Sequence, residues 1–188
     1  IYRKVLIPTK NVRVYIDFVS LLKSEPKIKK INLLLDELDV NQFKKISTTF
    51  KPSNFKSFLN NKIKKGIVTS EIEFYLNKNN VLENFIAKGT VSNLNALIVN
   101  NLVLEKTNFI FFADKTDILI KNIFGEIDSI KIKDGDIKFK LSPEISLTSN
   151  FLSSISYNNK SFDKYSNLLK NFKNAKDLLN LDIDLNNN

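Results

Sequence analysis

The chain has 188 residues, a formal net charge of +9, no Cys and no His. Without thiolate or imidazole there is no disulfide framework, no histidine-based triad and no Cys/His metal site. The charge invites nucleic acid or anionic lipid, yet the lysines fall in short, separate clusters such as Lys27-Lys29-Lys30, Lys62-Lys64-Lys65 and Lys131-Lys133, beside only two arginines, Arg3 and Arg13.

Lys, Asn and Ile all use A/T-rich codons, so base composition alone supplies much of the charge. With so little bidentate chemistry the lysines read as solvated faces, and nucleic acid is not an expected partner. No window approaches the roughly 20 apolar residues of a membrane span, and no signal peptide is visible. Met is absent, and the expectation is one internal segment, residues 1–188, of a longer protein.

In chain order, residues 1–38 read as leading strands. Asn11–Lys23 alternates, with Val12, Val14, Ile16 and Phe18 on one face, until Ser24-Glu25-Pro26 breaks the ladder. Lys30–Leu35 is a second strand. Residues 39–64 read as a helical insertion. Asp39 caps a helix with Gln42 at its third position, as in a capping box, and Val40, Phe43, Ile46 and Phe50 follow at helical spacing. Pro52-Ser53 opens another helix to Lys62, with Phe55, Phe58 and Leu59 on one side, closed by Gly66.

Residues 65–160 read as a strand meander. Gly66–Leu76 runs into a polar turn over Asn77–Asn80, and Leu82–Val91 returns. Segments Ala96–Leu104, Asn108–Phe112, Asp117–Ile123, Ile127–Lys133 and Asp136–Leu141 follow, with turn signals about every 8–12 residues. Gly89 and Gly125 are the expected bends or bulges. Residues 161–188 read as a helix over 163–179 and the start of a further strand, Leu181–Leu185. The fold class is therefore mainly β: a curved, antiparallel, groove-like sheet with a few short amphipathic helices.

Catalytic chemistry is hard to place. Gly66, Gly89, Gly125 and Gly135 are too dispersed for a phosphate loop or dinucleotide fingerprint. Asp134-Gly135-Asp136 lacks the spaced ligands of a calcium loop and reads as a two-residue hairpin. Asp114, Asp117, Glu126 and Asp128 would have to pair as acid and base in a cleft; strand faces and turns account for them. No enzyme activity, cofactor or metal is expected.

What remains is the apolar side of the strands. Alternation sets Ile72, Phe74, Phe85, Val91, Phe109, Phe111, Ile118, Ile120, Ile130, Ile132, Ile137 and Phe139 on one concave side, where a one-sided sheet must cover them. Closure, a second sheet or an apolar ligand would do so.

The run Phe55-Lys56-Ser57-Phe58-Leu59-Asn60-Asn61-Lys62-Ile63-Lys64-Lys65-Gly66-Ile67-Val68 resembles the helix, glycine and strand entry of AsmA-like proteins, especially the YhdP branch. Ala87-Lys88-Gly89-Thr90-Val91-Ser92-Asn93-Leu94-Asn95-Ala96 is similar to that family's glycine-marked strand and turn. Ile118 to Ile127 and Ile132 to Ile137 resemble its later strand, glycine, strand series. The resemblance covers roughly Ile46 to Leu147. It implies a Gram-negative envelope protein, anchored in the inner membrane outside this segment, whose curled sheet passes phospholipid acyl chains across the periplasm to the outer membrane. The competing reading is a structural or adhesive β-domain whose apolar face is its own core.

Overall fold

Alternating apolar residues along most of a chain favour one long antiparallel sheet, and one forms. The structure, a computed structural model, describes residues 9–47, 54–98, 102–128, 130–141, 144–154 and 178–185. The strands are β1 (Thr9–Ile16), β2 (Ile28–Asp39), β3 (Ile63–Leu76), β4 (Leu82–Leu97), β5 (Val103–Asp114), β6 (Asp117–Ile127), β7 (Ile130–Lys140), β8 (Ser146–Ser154) and β9 (Leu178–Leu185). They form one nine-stranded sheet in strict chain order, each strand antiparallel to the next. The order begins at β1 and ends at β9 without joining them, so the sheet is open and not a barrel. Three short helices complete the described residues: α1 (Phe18–Leu22), α2 (Val40–Ser47) and α3 (Asn54–Asn61).

Several sequence-based boundaries move, each for a local reason. The expected strand over Asn11–Lys23 stops at Ile16, because the Asp17 carboxylate accepts the Ser20 amide at 2.9 Å and caps α1. The capping box at α2 forms as expected: Gln42 N–H donates to Asp39 Oδ1 at 2.8 Å, and Asp39 N–H donates to Gln42 Oε1 at 2.9 Å. The expected strand Ala96–Leu104 does not exist as one piece; β4 runs to Leu97 and the chain turns before β5. Asp134-Gly135 is not a hairpin turn, since both lie inside β7, and the reversal falls after Ile127. The expected helix over 163–179 lies outside the described residues, except that Leu178 and Leu179 belong to β9.

A seam of bulges crosses the sheet. Register shifts fall between Leu35 and Leu38 in β2, Lys65 and Ile67 in β3, Val91 and Leu94 in β4, Glu105 and Asn108 in β5, and Ile132 and Asp134 in β7. Asn93, Lys106 and Asn122 take positive φ angles of 51°, 47° and 54° along it. Neighbouring side chains satisfy the amides involved: Asn93 N–H donates to Asn108 Oδ1 at 3.0 Å, Lys106 N–H to Asn95 Oδ1 at 2.9 Å, and Asn122 N–H to Asp136 Oδ1 at 3.1 Å. Bulges bend their strands and increase the twist. Asn tolerates this backbone region and Lys does not. Lys106→Gly should therefore raise stability, by about 0.5–1 kcal/mol after the added unfolded-state entropy is subtracted. Urea denaturation measures it, and the 3.9 Å contact of Lys106 with Glu126 that is lost is too exposed to matter.

The seam also sets which way side chains point. Ile132 and Ile137 are five positions apart, and strict alternation would send them to opposite faces. The extra residue at 133–134 restores the phase: Ile132 and Gly135 are buried, while Lys133 and Asp134 are exposed. Gly89 is not a bend, since it sits in regular pairing on both sides, Ser70–Gly89–Phe111. Gly125 pairs with Ile132 of β7 but on its other side faces the register shift between Glu105 and Asn108 of β5, so it does mark a bulge. Each is small because a neighbour occupies its side-chain space. A Cβ on Gly89 would meet the Thr69 carbonyl oxygen at 2.1 Å and the Phe111 ring at 2.9 Å; one on Gly125 would meet Thr107 Oγ1 at 2.3 Å.

A compact core exists mainly at one end. Val40 of α2 and Leu94 of β4 close over Gly66, and Leu38 is fully buried with Leu59 of α3 also buried. The helices α2 and α3 pack mainly on β2 and β3. Across the strands beyond, all in the same sheet, no second sheet is present among the described residues.

Candidate functional site

Residues paired in register project to the same side of a sheet, so the cross-strand pairs trace each face. One row runs Val12, Leu33, Ile72, Ala87, Ala113, Ile118, Phe139 and Leu147, every member apolar, and the backbone pairing continues to position 185 of β9. A parallel row runs Leu35, Ser70, Gly89, Phe111, Ile120, Ile137 and Ser149. Val14, Ile31, Phe74 and Phe85 form a third. Leu38, Val68, Val91 and Phe109 form a fourth on the seam.

The residues singled out from sequence are placed as follows. Ile72, Phe74, Phe85, Phe111, Ile118, Ile120, Ile137 and Phe139 occupy the three rows on the hairpin side of the seam. Val91 and Phe109 stand at the seam, and Ile130 and Ile132 lie beyond it, where Ile130 pairs with Ile127 and Ile132 with Gly125. Val91 and Ile132 are buried and the other ten are half-buried. Half-burial, with no second sheet over them among the described residues, means that these side chains shelter one another. Ala87, which alternates with Phe85 and Val91, joins the row as well, whereas alternation alone missed Leu33, Leu35, Ala113 and Leu147. Each is unremarkable within its own strand and joins the face through its neighbours' register.

The opposite face is chemically different. Lys30 Nζ donates to Glu73 Oε1 at 3.0 Å and lies 4.7 Å from the Tyr15 ring centre and 5.8 Å from that of Tyr75. Tyr75 OH donates to the other oxygen of Glu73. Asn32 donates to Glu71 at 2.8 Å and to Glu73 at 3.2 Å, and Lys88 meets Glu71 at 2.9 Å. This network ties β1 through β4 together on one side. A shallow hollow of about 330 Å³ opens beside it, lined by Leu34, Thr69, Glu71, Lys88, Thr90 and Phe112 among others. Its two charged groups, Glu71 and Lys88, are paired with each other. Among the described residues no group of three or more His, Cys, Asp or Glu side chains is placed to hold a metal ion.

The network predicts a pH dependence. Hydrogen bonding by Tyr75, then by Lys30, holds the Glu73 carboxyl below its usual range; Asn32, then Lys88, does the same for Glu71. The Thr116 and Asp117 amides lower Asp114. A carboxylate with a depressed folded pKa adds stability that is present above its unfolded pKa and lost as pH falls through the folded value. Lys30 and Lys88 are raised by their hydrogen bonds to Glu73 and Glu71, so their contribution is lost only as pH rises above the ordinary lysine range. Stability should thus be level near neutrality and fall below about pH 4.5. The double variant Glu71→Gln/Glu73→Gln should be less stable at pH 7 with a shallower acid decline. Urea midpoints across the acid range measure both.

Comparison with known protein families, curated proteins and solved structures finds no match to this chain. Among the described residues no helix is long and apolar enough to cross a membrane.

Proposed function

We propose that this chain is a non-catalytic, lipid-holding segment whose apolar sheet face carries phospholipid acyl chains. The observation that supports this most is the row from Val12 to Leu147, apolar at every strand it crosses, on a face that no second sheet covers among the described residues. At about 4.8 Å per strand the row spans roughly 34 Å. Half a bilayer's hydrocarbon core is about 15 Å, so an acyl chain fits along it with room to move. Each sheltered methylene is worth about 0.8 kcal/mol. Many such weak contacts retain a chain without a fixed polar anchor, and the lack of an anchor lets it slide. Together with the resemblance to AsmA-like proteins, this supports a role in the periplasm of a Gram-negative envelope, between the inner and outer membranes.

The test is photo-crosslinking. The purified chain is mixed with vesicles containing phospholipid that bears a diazirine on its acyl chain, irradiated, and its adducts mapped by mass spectrometry. Adducts should concentrate on Ile72, Phe85, Phe111, Ile118, Ile137 and Phe139. No adduct, or adducts confined to the face bearing Glu71, Glu73 and Lys88, would leave the structural β-domain as the reading.

A further inference from the structure

We propose that the α1 end of the sheet is a docking surface for a bilayer containing anionic phospholipid. This does not depend on acyl chains lying along the apolar face. It rests on helix α1, whose polarity is inverted. The one buried residue of α1 is Ser20, and Phe18, Val19, Leu21 and Leu22 are 68%, 57%, 51% and 70% exposed. The inversion is built in. Ser20 Oγ donates to the Asp17 carbonyl at 2.7 Å and accepts the Lys27 amide at 3.0 Å, while the Ser20 amide is held by the Asp17 carboxylate. The Glu25 amide bonds the Ser20 carbonyl at 3.0 Å, and Asp17 N–H bonds the Lys27 carbonyl at 2.9 Å. With the connection pinned through its serine, the apolar side chains are fixed outward.

The same end of the meander carries further exposed apolar residues on other hairpins. Val81 and Leu82 at the β3–β4 turn are 57% and 50% exposed, and Ile145 before β8 is 67% exposed. From the β1–β2 connection to the β7–β8 connection is six strand spacings, about 29 Å. Apolar tips on separate hairpins that far apart match a broad, soft surface better than a single groove. An exposed apolar patch flanked by cations is the pattern of an interfacial contact, in which the apolar side chains enter the headgroup boundary by about 5–10 Å. Lys23, Lys27 and Lys29 supply the cations beside α1. None of them is in an ion pair among the described residues, and Glu25 is the only acid between them.

The experiment is co-sedimentation of the full chain with two vesicle types, phosphatidylcholine alone and an equal mixture of phosphatidylcholine and phosphatidylglycerol. The wild type should bind the mixture more tightly, with binding weakened by salt. Phe18→Glu/Leu22→Glu should bind the mixture at least about tenfold more weakly. Replacing Lys23, Lys27 and Lys29 with Gln should lose about fivefold per charge on the mixture and almost nothing on phosphatidylcholine. Phe124→Glu, at an exposed position toward the opposite end of the sheet, should bind like the wild type. Thermal melts check folding; should the double glutamate variant melt early, Leu22→Ser replaces it. Wild type that stays in the supernatant with both vesicles overturns the proposal, as does equal binding by the α1 variants. A concentration-dependent oligomer abolished by Phe18→Glu/Leu22→Glu, without vesicle binding, would assign the patch to a second copy and overturn it too. Acyl-chain crosslinking on the apolar face is scored separately, so either reading can fail alone.

Discussion

Gly89→Val should lower stability by more than about 3 kcal/mol, through a shift of strands that cannot be absorbed by one side chain. The nearest obstacle to a Cβ at this position is the Thr69 carbonyl oxygen at 2.1 Å, which is backbone of β3, and the next is the Phe111 ring of β5 at 2.9 Å. Moving Phe111 alone relieves the second contact and not the first. Moving β3 disturbs its pairing with both β2 and β4, where Ser70 stands between Leu35 and Gly89. Overpacking of an ordinary core costs about 1–3 kcal/mol, and a clash with backbone lies at the upper end or beyond. For a chain of this length each kcal/mol moves the thermal midpoint by about 2–4 °C, so a fall of roughly 10 °C is expected. Gly125→Val should behave alike, since its Cβ would lie 2.7 Å from the Thr107 Cα. A loss under about 1 kcal/mol in both variants would mean that the strands slide freely, contrary to the pairing described.

Much of the architecture was legible because alternation is a local signal. Gly66–Leu76 falls within β3, Asp117–Ile123 within β6, and Asp39 with Gln42 marks the start of α2. What the sequence concealed is tied to the bulge seam. Asp134-Gly135 carries the usual composition of a tight hairpin, yet Gly135 is there because Phe151 of β8 lies over it, 2.4 Å from where a Cβ would stand. That reason belongs to a strand sixteen residues later in the chain. Likewise Asn93, Lys106 and Asn122 give no individual sign of positive φ; their roles appear only when Asn95, Asn108 and Asp136 on adjacent strands reach their amides. The α1 helix was hidden for a different reason. Its apolar residues continue the alternation of β1, and only the Asp17 cap separates the two.

The sharpest separation between a lipid-bearing face and a closed core comes from two carboxylates placed on the same face. Ile132 is 6% exposed beside the seam. Ile132→Asp buries a charge without a partner and should cost more than about 3 kcal/mol under either reading. Phe111 is half-buried at the middle of its row, between Gly89 and Ile120. If that row is open to lipid and water, the carboxylate of Phe111→Asp reaches solvent, and the loss is confined to the ring's packing, about 1–2 kcal/mol. The variant should then remain folded at room temperature while crosslinking to diazirine-bearing acyl chains falls severalfold, because a charge stands where the chains must pass. If the row is instead the domain's own core, Phe111→Asp should destabilise as severely as Ile132→Asp, and the wild type should give no acyl adducts to lose. Thermal unfolding and crosslinking yield, measured on both variants, decide between them: unequal stability with lost crosslinking supports the lipid-holding face, and equal collapse removes it.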